Sequence, residues 1–252
     1  MGHVECPWLA GSELNTRIKT VSRNARLFFI GNSITRELMF ETYARLTDTQ
    51  MNGDVYGRKY SCGNPSDLRD KFPNCRLLAN TTNTTLGFHW YQHYVQHERE
   101  GYLEACANVQ PNGALTCFSR LFGSQPSAKD FAIFLLNICD AGDHTSPSLE
   151  DRLFFVQALS QTFSGTSVLI IPCLYNMQSV NVPGPETNVL LTKLNNDTVH
   201  QLRGRIRMVE LQDICDENHR EYYDALHQHP RVSGLIMDRV WNVLLRAMEE
   251  RK

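Results

Sequence analysis

The sequence predicts an α/β protein built on a doubly wound, mainly parallel sheet, and two observations carry that reading. Four runs of branched and aromatic residues, RLFFI (26–30), FAIFLLNI (131–138), SVLIIPCL (167–174) and RIRMVEL (205–211), are apolar without alternation. Continuous apolar character belongs to strands covered on both faces, the condition of a parallel sheet. Between and after these runs, segments with helical spacing fall at 34–46, 148–163, 186–202 and 232–249. A strand–helix rhythm of this kind winds a sheet with helices on its faces.

The clearest of the helices is the second. Ser148 opens it, Glu150 and Asp151 follow in the first turn, and Leu149, Leu153, Val156, Leu159 and Phe163 form an apolar stripe. DVYG (54–57) is a weaker strand, placed second in the sheet. Residues 61–125 break the rhythm with cysteines, sequons and polar residues, and read as an irregular insertion in a single domain spanning 1–252. One short strand is expected inside the insertion, near LGFHWYQHY (86–94).

Composition narrows the function classes. Apolar residues make up 42% and charged residues 21%, an ordinary globular balance. With 25 basic against 27 acidic residues and no basic run, a nucleic-acid partner is not expected. No apolar stretch approaches the ~20 residues that span a bilayer, and MGHVECPWLAGSEL lacks the layout of a signal peptide.

Among the eight cysteines, Cys62 with Cys75 and Cys106 with Cys117 enclose polar segments bearing Pro and Gly, and are expected to staple loops. Cys139 and Cys173 follow apolar runs and read as buried small hydrophobes. Three N-glycosylation sequons begin at Asn80, Asn83 and Asn196. Paired cysteines and sequons together predict a secretory-pathway lumen (Golgi or ER) or an extracellular setting, with any targeting segment or anchor outside this sequence.

The chemistry concentrates at one corner. Ser33 stands where the first strand stops and a helix begins, and open α/β sheets bind ligands at the carboxyl ends of their strands. Its own N–H, at a helix N-terminus, faces any negative charge that develops there. A serine in this position is either a helix cap or a nucleophile. A nucleophile needs a base and an orienting carboxylate. YYDALHQHP supplies both, with Asp224 and His227 three residues apart and His229 as the rival base. Asn137, at the end of the 131–138 strand, offers an amide N–H to an oxyanion, and Gly57 or Gly63 offers a backbone N–H that a side chain would not obstruct.

A strand followed by GNSITR, an Asn-bearing block after a central strand and a late D-x-x-H before a helix resemble, in that order, the SGNH (GDSL-type) hydrolase superfamily. GNSITREL and YYDALHQHPRVSGLIMDRVWNVLL look most like its PC-esterase branch, which includes trichome-birefringence-like and Cas1-type glycan O-acetyltransferases. The resemblance runs through short blocks across most of the chain. It implies a three-layer, flavodoxin-like fold with a disulfide-stapled insertion. It further implies Ser33 as nucleophile, Asp224 and His227 completing the triad, and an oxyanion hole from the Ser33 N–H, Asn137 and Gly57. Arg36 matches a frequent arginine of the branch, and Trp90 lies on a strand similar to an aromatic strand there; both are expected to contact substrate. The chain departs from the pattern at Asn32, where the superfamily carries aspartate, and NICDAGDH fits the third block loosely.

The expected reaction is acyl transfer on O-acetyl groups of glycans, with no cofactor. His227 takes the Ser33 proton, the oxygen attacks an acyl donor, and water or a sugar hydroxyl then releases the acyl group. Two alternatives belong to other classes. One is a glycan-binding module that keeps the fold without the chemistry, consistent with Asn32. The other is a metal-dependent enzyme using His89, His93 and His97, which recur every fourth residue but carry no H-E-x-x-H pattern.

Overall fold

The computed structural model describes residues 8–31, 33–49, 76–90, 118–119, 122–135, 163–171, 206–217 and 230–250, with the backbone alone described at Ser33, His89, Trp90, Leu135, Ile171, Glu210, Gln212, Cys215, Asp216 and Pro230. Helix α1 spans Gly11–Val21, β1 Arg26–Gly31, α2 Ser33–Thr47, β2 Arg76–Ala79, β3 Thr84–Trp90 and β4 Phe131–Leu135. Then come β5 Thr166–Ile171, β6 Arg207–Glu210, α3 Gln212–Glu217 and α4 Pro230–Glu249. The strands form one mixed sheet in the order β2-β3-β1-β4-β5-β6. Only the edge pair β2–β3 is antiparallel; β3, β1, β4, β5 and β6 run parallel.

Each of the four continuous apolar runs contributes a strand to this sheet, and the pairing register explains their lack of alternation. Leu27 lies beside Leu86 and Phe131, and Phe29 beside Phe88 and Ile133. These side chains join Val168, Ile170 and Val209 in one core layer under the helices. The alternate residues turn to the opposite face, where Phe28 meets Phe118 and Phe122 edge-on at 5.6 and 6.0 Å. Phe118 continues that cluster to Phe163 at 5.4 Å. With apolar cover on both sides, neither set of strand residues needs to be polar.

The helices pack on the first face through periodic stripes. Leu14 and Ile18 bury α1. Val232, Ile236, Met237, Val240, Trp241, Leu244 and Leu245 bury α4, whose first residue, Pro230, has the fixed φ that suits a helix start. α2 differs, because no side chain from Ile34 to Thr47 is fully exposed. It is an interior helix, held to α4 by Arg45, which donates to Glu41 at 2.9 Å, Asp238 at 2.5 Å and the Gly234 carbonyl at 2.8 Å.

The direction of α4 follows from its partners. Glu250, just past its end, pairs with Arg207, the first residue of β6. Earlier in the helix, Arg239 pairs with Asp213 of α3, just beyond the carboxyl end of β6. α4 therefore starts towards the carboxyl edge of the sheet and runs back to the amino edge. α2 does the same, since it leaves the end of β1 and Thr81 of the β2–β3 turn reaches its Leu46 carbonyl at 2.6 Å.

A buried ion pair fixes the amino edge. The Asp130 side chain is 1% exposed and accepts from the Arg26 backbone N–H at 2.9 Å, from Arg26 Nη2 at 2.6 Å and from Ser127 N–H at 2.6 Å. Burial pushes its carboxyl pKa up, but the hydrogen bonds from Arg26 and Ser127 outweigh it, leaving the carboxyl below its ordinary value. Gly165 passes so close that a Cβ there would lie 2.0 Å from the Asp130 carbonyl oxygen, which itself accepts from Thr166 N–H at 3.0 Å. Only glycine fits the approach.

Several expectations shift. The strand expected near LGFHWYQHY is present as β3, but it has seven residues and pairs with β1 inside the sheet rather than standing apart in an insertion. β2, also within 61–125, extends the same sheet at its edge. DVYG (54–57), the helix expected at 148–163 apart from Phe163, the helix expected at 186–202, and Cys62, Cys75, Cys106 and Cys117 lie outside the described residues.

Candidate active site at the serine corner

β1 pairs with β3 on one side and β4 on the other, and the chain forms β3 before crossing to β4. The strand order thus reverses at β1 and β4, the topological switch point, and open α/β sheets bind ligands beyond the carboxyl ends of the strands at such a point. Ser33 is the first residue of α2, separated from the end of β1 at Gly31 by Asn32 alone. The serine backbone is therefore at that carboxyl edge of the sheet.

The local electrostatics favour an anion. α2 begins there, so the backbone N–H groups of its first turn and the positive end of its dipole point towards the rim. Its first turn carries no acidic residue to neutralise them, and it holds Arg36, which is half-buried. On the other flank, the register sets Trp90, the last residue of β3, beside Gly31 at the same carboxyl edge. Ser33, Arg36 and Trp90 thus share one rim on adjoining elements.

Asn137 follows the end of β4 at Leu135 by two residues and lies outside the described residues. So do Asp224, His227, His229, Gly57, Gly63 and Asn196. Of the histidine triplet, His89 is on β3, while His93 and His97 lie outside the described residues. Among the described residues, no group of three His, Cys, Asp or Glu side chains could hold a metal ion, and no helix is long and apolar enough to cross a membrane.

Two polar residues of this corner escaped the sequence reading. Thr35 is fully buried in the first turn of α2, and among the described residues its hydroxyl has no hydrogen-bond partner. Glu37 is 3% exposed and stands four residues after Ser33, on the same face of the helix. Thr35 and Glu37 within SITRELMF were the available signal, but helical spacing over 34–46 does not reveal that α2 is buried along its length.

The fold and the corner together define a parallel α/β sheet protein with a serine at the switch point. No known protein-family profile matches the chain, and no curated protein matches it at a significant level.

Proposed function

We propose that the chain is a serine acyl-transfer enzyme of the SGNH type, close to the PC-esterase branch, acting on O-acetyl groups of glycans. The observation that carries the reading is the position of Ser33, which opens a buried helix directly beyond the end of β1 at the switch point. The order of the five parallel strands supports a three-layer, flavodoxin-like fold, for which 2-1-3-4-5 is a common order. β2 is then an antiparallel addition at its edge.

In this mechanism His227 takes the Ser33 proton while Asp224 fixes the imidazole tautomer. Ser33 Oγ attacks the acetyl carbonyl, and the oxyanion is held by the Ser33 N–H, Asn137 and Gly57. The start of α4 supports the base assignment. Pro230 is at the carboxyl side of the sheet, and three residues of chain tether His227 within about 10 Å of it. The N-terminus of α2 stabilises negative charge beside the reacting carbonyl. Arg36 and Trp90 flank Ser33 at this edge, where a guanidinium and an indole suit a polar sugar ring. Paired cysteines and the sequons support a luminal or extracellular setting.

The test is incubation with a simple acetyl ester, with and without sugar acceptors. Acetate release alone identifies an esterase, and an acetylated sugar identifies a transferase. Absence of both, together with no acyl-enzyme on rapid quenching, contradicts the proposal.

A further inference from the structure

Asn80 and Asn83 begin consecutive sequons, Asn-Thr-Thr-Asn-Thr-Thr, and the structure places both asparagines in the four-residue turn joining β2 to β3. We propose that this turn carries one N-linked oligosaccharide, on Asn80 and not on Asn83. The inference rests on the luminal setting argued above and goes beyond it by separating two sequons that the sequence does not distinguish.

The separation comes from what each turn side chain does. Asn83 takes a left-handed backbone with φ of 51°, and its Nδ2 donates to Asn24 Oδ1 at 2.9 Å. Asn24 is left-handed as well, with φ of 59°, in the turn between α1 and β1. The amide nitrogen that a glycan would occupy on Asn83 is therefore already seated against a second turn. Thr81 Oγ1 donates to the Leu46 carbonyl at 2.6 Å, and the Thr82 and Thr84 hydroxyls share a buried bond of 2.7 Å. Thr84 Oγ1 in turn donates to the Ser22 carbonyl at 2.7 Å. Asn80 is exposed, and among the described residues its side chain makes no hydrogen bond. Sugar added to Asn80 projects into solvent, whereas sugar added to Asn83 disturbs the contact that closes the hairpin onto β1.

The position also fits the proposed chemistry. The register pairs Thr85, just past the turn, with Arg26 at the start of β1, so the turn is at the amino edge of the sheet. The serine corner is at the other end of β1, about 20 Å away along six strand residues. A glycan on Asn80 leaves that corner open. The transfer forms one bond, from Asn80 Nδ2 to the anomeric carbon of a lipid-diphosphate-linked oligosaccharide. The lipid diphosphate leaves, and the amide gives up one proton.

The experiment secretes the full chain behind a cleavable signal from a eukaryotic host. Enzymatic release of N-glycans in heavy-oxygen water then marks each former glycan site, read by peptide mass spectrometry. The expected mark falls on Asn80 and is absent from Asn83. Asn80→Gln loses the glycan of this turn and retains acetyl-ester turnover, and Asn83→Gln keeps the glycan. A mark on Asn83 in the parent chain or in Asn80→Gln overturns the proposal, as does an unmarked turn in the secreted chain. The luminal setting is read separately, by protease protection of the unfused chain in membrane vesicles.

Discussion

Ser33→Ala lowers acetyl-ester turnover by on the order of 10⁴-fold or more while leaving the thermal midpoint close to that of the parent chain. The size follows from the role, because removing a nucleophile leaves only binding and oxyanion stabilisation to accelerate the reaction. The small stability cost follows from the position. Ser33 is the first helical residue of α2, and alanine is a good helix former, so a methyl at 33 removes little helix energy. The control is circular dichroism on the same sample. A variant that keeps its fold and more than about a tenth of parent turnover contradicts the nucleophile assignment, since no triad chemistry survives at that level. A helix-capping serine predicts the reverse pattern, with a modest loss of stability and unchanged turnover.

The largest stability effect is expected far from the chemistry, at Asp130→Ala. Removing this carboxylate takes the counter-charge from the Arg26 guanidinium, which keeps its Ser124 and Gln125 acceptors, and leaves the Arg26 and Ser127 backbone donors without their acceptor at the amino edge of β1 and β4. Breaking a buried pair by deleting one partner costs about 3–5 kcal/mol. The free energy of urea unfolding measures it, and a loss below about 1 kcal/mol would mean that the edge is held by packing alone. The same group sets an acid limb. Because its folded pKa lies below 3.8, its contribution is complete above the unfolded value and is lost as pH falls through the folded one. The parent chain therefore loses stability on acidification below about pH 4 more steeply than Asp130→Ala.

The parts of the fold that were legible in the sequence are those whose burial leaves a local pattern. RLFFI and FAIFLLNI read as strands because both of their faces are covered, by α2 and α4 on one side and by the Phe118 and Phe122 cluster on the other. Thr84–Trp90 was read as a minor strand because TTLGFHW carries a glycine and two threonines. Gly87 is there for packing, since a Cβ would meet the Phe122 ring at 2.5 Å. Thr84 is there for its hydroxyl, which ties the strand to the turn before β1. Both features depend on distant residues that no window of sequence contains. β2 was missed because Arg76–Ala79 is short and mostly exposed, as edge strands often are. α1 escaped because its apolar stripe is only Leu14 and Ile18, too brief a period to stand out.

At the candidate site, the corner was legible and the surroundings were not. A strand, a glycine and a serine opening a helix announce themselves locally, and α2, expected over 34–46, spans Ser33–Thr47. The neighbours of that corner are set by strand order. Gly31 beside Trp90, and Ile30 beside Phe134 of β4, are pairings that parallel crossovers bring together over tens of residues. Burial of Glu37 likewise depends on α2 being an interior helix, which its own sequence does not reveal.

The most direct measurement is the residue modified by a serine-directed fluorophosphonate, mapped by mass spectrometry on the intact chain. An alcohol made reactive by a neighbouring imidazole at the switch point places the adduct on Ser33, with labelling abolished in His227→Ala. A folded chain that takes up no probe, or takes it up at another serine with Ser33 unmodified, contradicts the account.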